Sequence, residues 1–527
     1  MGMGRRYNAA EDFIDRNVAA GLGDKAAVCE TDRCLSYREL LDGASRVGSL
    51  LGSLGVEREN RIACVLFDTI EYPLLFWGAV RAGIVPVLLN TRLTAEQYRY
   101  MLEDSRAKVV FVSAPLASVI AEAARGLDSL RAIVVVDPND VSGDGFGALL
   151  ANAALAPAAS TCADEVAFWL YSSGTTGPPK GVMHVHSTPR TVAELCGRGR
   201  IGCREDDVSF SAAKMFFAYG LSNSMFVPLG LGATTILCPE HPTPAAIGAT
   251  LRRFRPTLFY AVPTLYGQLL DDPDFRPGDA VERLRLCFSA GEPLPAPLGL
   301  AWQDRFGVEI VDGVGSTEMV HLFLTNVPGR VEYGTSGVPI DGFQLRLVDD
   351  EERDVESGNV GELLVRAPTA AQGYWNQRDK SRRTFQGEWV RTGDKYERRP
   401  DGVYLYRGRT DDMFKVSGIW VSPLEIEAAL VTHPTVLEAA VIPFEARDGL
   451  LKPKAFVVLK ADCYQPPGRA LYEELKIHVK RVIGPWKYPR WIEFVDSLPR
   501  TATGKLQRFK LRDAAAPPDS SHSNPRR

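Results

Sequence analysis

The sequence predicts an α/β protein with largely parallel sheets: a large N-terminal domain ending in a smaller β unit, then a small α+β domain. Three observations lead there. Short β-branched runs alternate with helical stretches through most of the chain, the pattern of buried strands separated by helices. At 527 residues the chain is longer than one hydrophobic core usually serves. Its character changes near residue 409, where a polar, turn-prone step interrupts the alternation.

The elements follow in order. Residues 62–67 read as a strand, 71–81 as a helix and 84–89 as a strand. Thr94 and Gln97 have the spacing of a capping box opening a helix over 95–103. Strands are expected at 108–113, 132–137, 165–172, 234–239, 257–262 and 284–289, and 138–159 reads as a small, polar surface connection. Strands at 362–367 and 403–407 form the smaller β unit. After Gly408-Arg409-Thr410-Asp411-Asp412, the run Ser422-Pro423-Leu424-Glu425 places Ser at N-cap, Pro at N1 and Glu at N3 of a helix. Strands at 436–443 and 454–459, a helix at 470–482 and a strand at 491–495 complete a compact unit. The boundaries fall at 1–408 for the large domain and 409–515 for the small one. The Pro/Ser-rich tail beginning at Ala514, with 516–527 outside both domains, is expected to be disordered.

Composition excludes several functions. With 45% hydrophobic and 24% charged residues the chain is ordinary globular protein. Lys and Arg total 61 against 65 Asp and Glu, a net charge of -4, so no global positive field gathers nucleic acid or anionic lipid. A bound phosphate must be held by a local device. The 9 cysteines are scattered and include no Cys-x-x-Cys pair, which argues against a zinc site or a disulfide framework. No apolar run follows the basic start, and the most apolar stretch, 72–89, is broken by Gly78, Arg81, Gly83 and Pro86. No membrane partner is expected, and a reduced cytoplasm is the expected location.

The local device is Tyr171-Ser172-Ser173-Gly174-Thr175-Thr176-Gly177-Pro178-Pro179-Lys180-Gly181. It follows an apolar strand and gathers hydroxyls and glycines around one lysine. Glycines let backbone N–H groups converge on an anion, hydroxyls add donors and the lysine adds charge. The spacing is not that of a Walker A loop. A plain surface loop seldom combines all these features.

This stretch resembles the signature of the adenylate-forming superfamily, which includes the acyl-CoA synthetases. Further motifs match in order: Ser289-Ala290-Gly291-Glu292-Pro293-Leu294, Asp312-Gly313-Val314-Gly315-Ser316-Thr317-Glu318, Thr392-Gly393-Asp394, Gly408-Arg409-Thr410-Asp411-Asp412 and Thr503-Gly504-Lys505. The resemblance implies stacked α/β sheets and a mobile C-terminal domain. It implies that ATP and Mg2+ are used, with Ser172, Ser173, Gly174, Thr175, Thr176, Gly177 and Lys180 around the phosphates. Ser289, Ala290, Gly291, Glu292, Pro293, Asp312, Gly313, Asp394 and Arg409 would bind the nucleotide. Thr317, Glu318 and Lys505 would be catalytic, with Glu318 on the metal and Thr176 beside the metal-bound phosphate. Lys505 would offset the repulsion as a carboxylate meets the α-phosphate. Asp411 would be the hinge, and Lys415, Ser417 and Gly418 the side that meets coenzyme A. Val314 stands where many relatives stack an aromatic residue on adenine, so apolar contact must replace that platform.

Within the superfamily the chain is most similar to the benzoate and 4-hydroxybenzoate CoA ligases. The residues that carry this are the run Ser211–Leu221, which includes Phe216-Phe217-Ala218-Tyr219-Gly220, Gly315-Ser316-Thr317-Glu318-Met319-Val320-His321, and the run from Lys415 to Pro423. The family implies a flat acid pocket walled by Phe217, Ala218, Tyr219 and Gly315, with His321 near the carboxylate and Phe216 in the core. The expected enzyme converts benzoate or 4-hydroxybenzoate to its CoA thioester through an acyl-AMP, releasing AMP and pyrophosphate. An amino- or halobenzoate ligase, or an aryl-adenylating enzyme that loads a carrier protein, is the alternative. Acylation of Lys505 by a lysine acyltransferase, reversed by a deacylase, would remove its charge.

Two further patterns have weaker context. Gly197-Arg198-Gly199-Arg200-Ile201-Gly202 has dinucleotide-fingerprint letters but follows a helical stretch rather than a strand. Ser211-Ala212-Ala213-Lys214 has the Ser-x-x-Lys form of a serine nucleophile site without its companion motifs. A binding protein without activity would have no need of Lys180, Glu318 and Lys505 together.

Overall fold

The computed structural model describes residues 6–137, 145–174, 177–276, 278, 281–410, 412–416, 419–445, 451–460, 468–484, 487–500 and 506–515. Thr175, Thr176, Asp411, Ser417, Gly418, Lys505 and the 516–527 tail lie outside these residues. The chain divides into two units, one of 1–346, 364–392 and 399–405, the other of 347–363, 393–398 and 406–527.

Two large sheets build the first unit. One has nine strands, in the order Val338–Pro339, Leu322–Thr325, Ile310–Gly315, Leu286–Ser289, Leu258–Ala261, Val208–Ser211, Thr234–Leu237, Ala26–Glu30 and Arg33–Ser36. The other has seven, in the order Gly373–Tyr374, Gly177–Val185, Val166–Gly174, Val85–Leu88, Arg61–Val65, Val109–Ser113 and Ala132–Val136. The central pairings are parallel and the outer ones antiparallel, except that Ala132–Val136 closes its end of the seven-stranded sheet by a parallel pairing. Such sheets are buried on both faces, which is why the strands read as unbroken apolar runs. The helix Glu71–Arg81 is buried all round, and Ala95–Ser105 opens on the Thr94–Gln97 capping box the sequence implied. Trp302, Tyr266 and Phe275 fill the core of the nine-stranded sheet, and Trp169 with Tyr98 that of the seven-stranded one.

The second unit contains the three-stranded sheet Val436–Glu445, Leu451–Leu459 and Trp491–Phe494, with helices Pro423–Val431 and Arg469–Ile483. Arg508 ties the helix Arg508–Ala515 into this unit. It donates to both oxygens of the buried Glu427, at 2.9 and 2.7 Å, and pairs with Asp412 at 3.4 Å, while Arg512 reaches Asp412 at 3.1 Å.

Some expectations are corrected. The 138–159 connection contains a helix, Phe146–Asn152, because Phe146 is apolar enough to bury edge-on against Phe111. Ala514 and Ala515 are helical rather than tail, since Leu511 and Arg508 draw the helix onto the sheet. Ser422 sits at the N-cap position but makes no side-chain cap bond. Cys29 and Cys34, opposed across the hairpin of Ala26–Glu30 and Arg33–Ser36, form a disulfide where none was expected. Among the described residues no helix is long and apolar enough to cross a membrane.

Candidate active site

The hydroxyl- and glycine-rich stretch is an antiparallel hairpin rather than a loop after a strand, with Ser172 opposite Lys180 and Gly174 opposite Gly177. Its base is anchored by Trp169 against Trp375, ring centres 4.8 Å apart, and by Tyr171 donating to Asp104 at 2.6 Å. The Lys180 ammonium lies 4.3 Å from the centre of the Tyr374 ring, a cation–π contact. Tyr374 in turn donates through its hydroxyl to Glu318 Oε1 at 2.8 Å. Backbone bonds strap the same segment down, Ala371 N to Glu318 O at 2.8 Å and Trp375 N to Gly181 O at 2.8 Å.

His184, on the same hairpin, reaches the Thr317 carbonyl from Nε2 at 2.8 Å. Burial drives its pKa down to about 4, so the ring is neutral and Nε2 carries the proton that is donated. Tyr374 and His184 therefore place Glu318 and Thr317. Neither was legible as a site residue, because each acts across more than fifty residues of sequence with no local motif.

Of the residues expected to bind the nucleotide, Ser289 and Asp312 sit beside each other on parallel strands. Leu294 N donates to Asp312 Oδ2 at 3.4 Å, fastening the 289–294 turn to the 312–313 segment. Asp312 is buried, and burial raises its carboxyl from 3.8 to about 8. Glu292 meets Thr264 at 3.5 Å.

The aromatic wall begins where Phe217 precedes the short helix Ala218–Leu221. Phe216 is buried, as expected of a core residue, with its ring edge-on to Phe217 at 4.5 Å. Tyr219 stacks with His321 at 6.3 Å and meets Tyr260 edge-on at 6.2 Å. His321 Nε2 is 3.0 Å from Asn223 Oδ1, and burial pushes the His321 pKa down to about 3, leaving a neutral ring. Tyr219 Oη, Tyr260 Oη, Asn223 Nδ2 and His321 Nδ1 are buried with no hydrogen-bond partner among the described residues. Gly315 has a steric reason: a Cβ there would lie 2.4 Å from the His321 carbonyl oxygen. Val320 turns the chain between Glu318 and His321 at φ 63°, a conformation a β-branched residue adopts only under constraint.

In the second unit Arg409 pairs with Asp394 at 2.9 Å, and Thr410 N donates to Gly393 O at 2.8 Å. Lys415 opposes Trp420 in the hairpin Phe414–Val416 with Ile419–Val421. Among the described residues no three His, Cys, Asp or Glu side chains gather as a metal cluster. Glu318, which the resemblance sets on a metal, would leave the remaining positions of a magnesium ion to phosphate oxygens and water.

The AMP-binding enzyme family model matches residues 15–375, and the AMP-binding enzyme C-terminal domain model matches 425–505. The chain is 63% identical over 510 residues to a 4-hydroxybenzoate–CoA/benzoate–CoA ligase of Rhodopseudomonas palustris, covering 97% of this chain and 94% of that one. It is 50% identical over 512 residues to a benzoate–CoA ligase of Thauera aromatica, covering 97% and 96%. A solved benzoate CoA ligase from Burkholderia xenovorans LB400 is 46% identical with a TM-score of 0.88, covering 96% of this chain and 100% of that one. An anthranilate CoA ligase solved with anthranoyl-AMP is 42% identical with a TM-score of 0.90, covering 97% and 98%.

Proposed function

The chain belongs to the AMP-binding enzymes, in the benzoate/4-hydroxybenzoate–CoA ligase family, and we propose on that premise how its residues divide the reaction. The enzyme converts benzoate or 4-hydroxybenzoate to its CoA thioester through an acyl-AMP, with release of AMP and pyrophosphate. The observation that carries this is 63% identity across 97% of the chain to a ligase named for both acids.

The chemistry sets the tasks. A carboxylate is a poor electrophile and needs a leaving group, which attack on the α-phosphate of ATP provides. That attack forms the acyl–phosphate bond and breaks the bond to pyrophosphate. Lys180 is assigned to the pyrophosphate side. Its contact with Tyr374, and that of Tyr374 with Glu318, supports reading the three as one phosphate-holding set. Magnesium, when bound, would neutralise phosphate charge at Glu318. Asp394 suits the ribose hydroxyls as an acceptor, with Arg409 orienting it. Lys505 is assigned the charge that lets carboxylate and α-phosphate meet. The thiolate of coenzyme A then attacks the mixed anhydride and expels AMP, after rotation about Asp411 brings the Lys415–Gly418 side into use.

On the acid side, Phe217, Ala218 and Tyr219 are assigned to the ring faces, with Gly315 and the neutral His321 completing the pocket. Neutrality favours His321 as a hydrogen-bond partner rather than a cation. We assign the enzyme to the cytoplasm, where ATP and coenzyme A are supplied.

The test separates the half-reactions. Lys505→Ala is expected to cripple formation of benzoyl-AMP while thiolysis of supplied benzoyl-AMP continues; equal loss in both would remove the assigned role. Product analysis with a mixed panel of benzoates, cinnamate and octanoate ranks the acids. Acyl-adenylate with untouched coenzyme A would point to carrier-protein loading instead.

A further inference from the structure

The Ser211-x-x-Lys214 pattern is left over from the chemistry above. Ser211 Oγ donates to the Ala213 carbonyl at 3.0 Å. Lys214 is turned into a buried cluster: it donates to the carbonyls of Cys238 and, at 2.7 Å, Glu240, and its ammonium lies 4.0 Å from Asp68 Oδ2. The two side chains are 15% and 3% exposed. The other Asp68 oxygen, Oδ1, accepts from the backbone N–H of Met215 at 3.3 Å.

Asp68 follows the strand Arg61–Val65 of the seven-stranded sheet, and Lys214 and Met215 follow Val208–Ser211 of the nine-stranded one. Both loops leave the C-terminal ends of parallel strands, the edge where open α/β sheets bind ligands. The next residues wind tightly onto this pair. Phe217 N donates to Lys214 O at 3.0 Å and Leu221 N to Phe217 O at 2.8 Å. Gly220 passes so close that a Cβ would sit 2.1 Å from the Lys214 carbonyl oxygen. A buried ion pair is a poor source of stability, because desolvation offsets its attraction. Its use here is to fix one geometry.

We propose that Asp68 is a positioning residue for the aromatic acid: through Met215 and Lys214 it sets the turn that presents Phe217, Ala218 and Tyr219, so its charge controls affinity for the acid. This rests on the acid-pocket assignment above.

Burial raises the Asp68 carboxyl to about 6, with Lys214 and the Met215 amide pulling it back down. The groups around it are Lys214, Tyr72 from the following helix, whose phenol burial keeps neutral, and Cys64 beside Tyr72. Around Lys214 stand Cys238, Glu240 and His241, the last in contact with Arg92 at 3.2 Å. Below pH 6 Asp68 takes a proton and Lys214 loses its counter-charge. Affinity for the acid should weaken on that limb.

Asp68→Asn keeps an oxygen for the Met215 N–H and removes the charge. Its KM for benzoate is expected to rise about ten-fold with KM for ATP unchanged. The acid limb in kcat/KM for benzoate, centred near pH 6 in the parent enzyme, should disappear. Lys214→Met should move that limb to higher pH, because the cation that lowers the Asp68 pKa is gone. Phe217→Ala checks the premise: an unchanged KM for benzoate there would remove the pocket assignment itself. A raised KM in Phe217→Ala, with neither KM nor limb altered in Asp68→Asn, overturns the positioning role alone. If Asp68→Asn does not fold, as read by thermal melting, the limb in Lys214→Met decides, and one that stays in place overturns the proposal.

Discussion

Among the residues proposed to hold the phosphates, Lys180, Tyr374 and Glu318 touch in series, and His184 holds the Thr317 carbonyl through Nε2, leaving its Nδ1 buried without a partner among the described residues. Around the proposed acid pocket such atoms are more concentrated: Tyr219 Oη, Tyr260 Oη, Asn223 Nδ2 and His321 Nδ1 are all buried without a partner among the described residues. The difference is one of degree, and it fits the chemistry of the two proposed ligands. Phosphate charge is the same in every turnover, so it can be met by groups fixed in advance, which avoids reorganisation during reaction. A ring is recognised by shape and a few polar points. Each unpaired buried atom costs on the order of 1–3 kcal/mol, a cost removed when a ligand supplies the missing bond. The aromatic side therefore holds its selectivity in reserve.

Removing a charge from the prearranged side should have the largest effect. Glu318→Ala is expected to slow benzoyl-AMP formation by about 10²–10³-fold, by analogy with loss of a prepositioned electrostatic group, while thiolysis of supplied benzoyl-AMP is spared. Half-reactions measured by rapid quench check it; equal loss in both would mean the two sides are not separable. Tyr374→Phe keeps the ring over Lys180 and removes the hydroxyl that donates to Glu318. A fall of about ten-fold in kcat/KM for ATP is expected, with a raised Mg2+ requirement and an unchanged KM for benzoate. Direct titration of ATP binding against Mg2+ concentration gives a readout independent of turnover.

Changes on the aromatic side should redistribute substrates rather than abolish rate. Asn223→Leu leaves His321 without its partner and is expected to change the benzoate to 4-hydroxybenzoate preference by about ten-fold, with KM for ATP constant. Competition of the two acids in one reaction, read by mass spectrometry, measures the ratio directly. A shift in the KM for ATP of the same size would blur the comparison.

A separate effect, on stability rather than rate, checks the nucleotide segments. Asp312 titrates near 8 in the folded protein against 3.8 as a free side chain, so its favourable contribution is complete below 3.8 and is lost as pH rises through 8. Asp312→Asn does not titrate. Its melting temperature relative to the parent should be higher above pH 8 than at mildly acid pH, by about 2–4 °C per kcal/mol. Parallel melting curves at the two ends of the range test the sign.

What the sequence made legible was local. The helix Glu71–Arg81 and the Thr94–Gln97 box depend on spacing within one or two turns, and the glycine–hydroxyl hairpin announces itself by composition. Tyr374, His184, Asn223 and Asp68 act between segments joined only by the fold, so no window of sequence contains both partners. The disulfide is an intermediate case. Cys29-Glu30-Thr31-Asp32-Arg33-Cys34 is a two-residue hairpin in which Glu30 faces Arg33 and Cys29 faces Cys34, and that register was readable once both arms were taken as strands. Helix Phe146–Asn152 was hidden because its small residues carry little periodic signal.

The ion pair of Glu427 with Arg508 also has a consequence in time. The carboxylate is buried in the finished unit, yet its guanidinium lies 81 residues further along the chain. At the usual rate of synthesis those residues take roughly 4 to 16 seconds to emerge. The strand Val436–Glu445 comes first and gives the carboxylate a neutral partner, Val441 N donating to Glu427 Oε1 at 2.6 Å, and the guanidinium arrives last. A chain cut short before Arg508 would therefore leave the buried Glu427 carboxylate without its charge partner, the costly half of a broken ion pair.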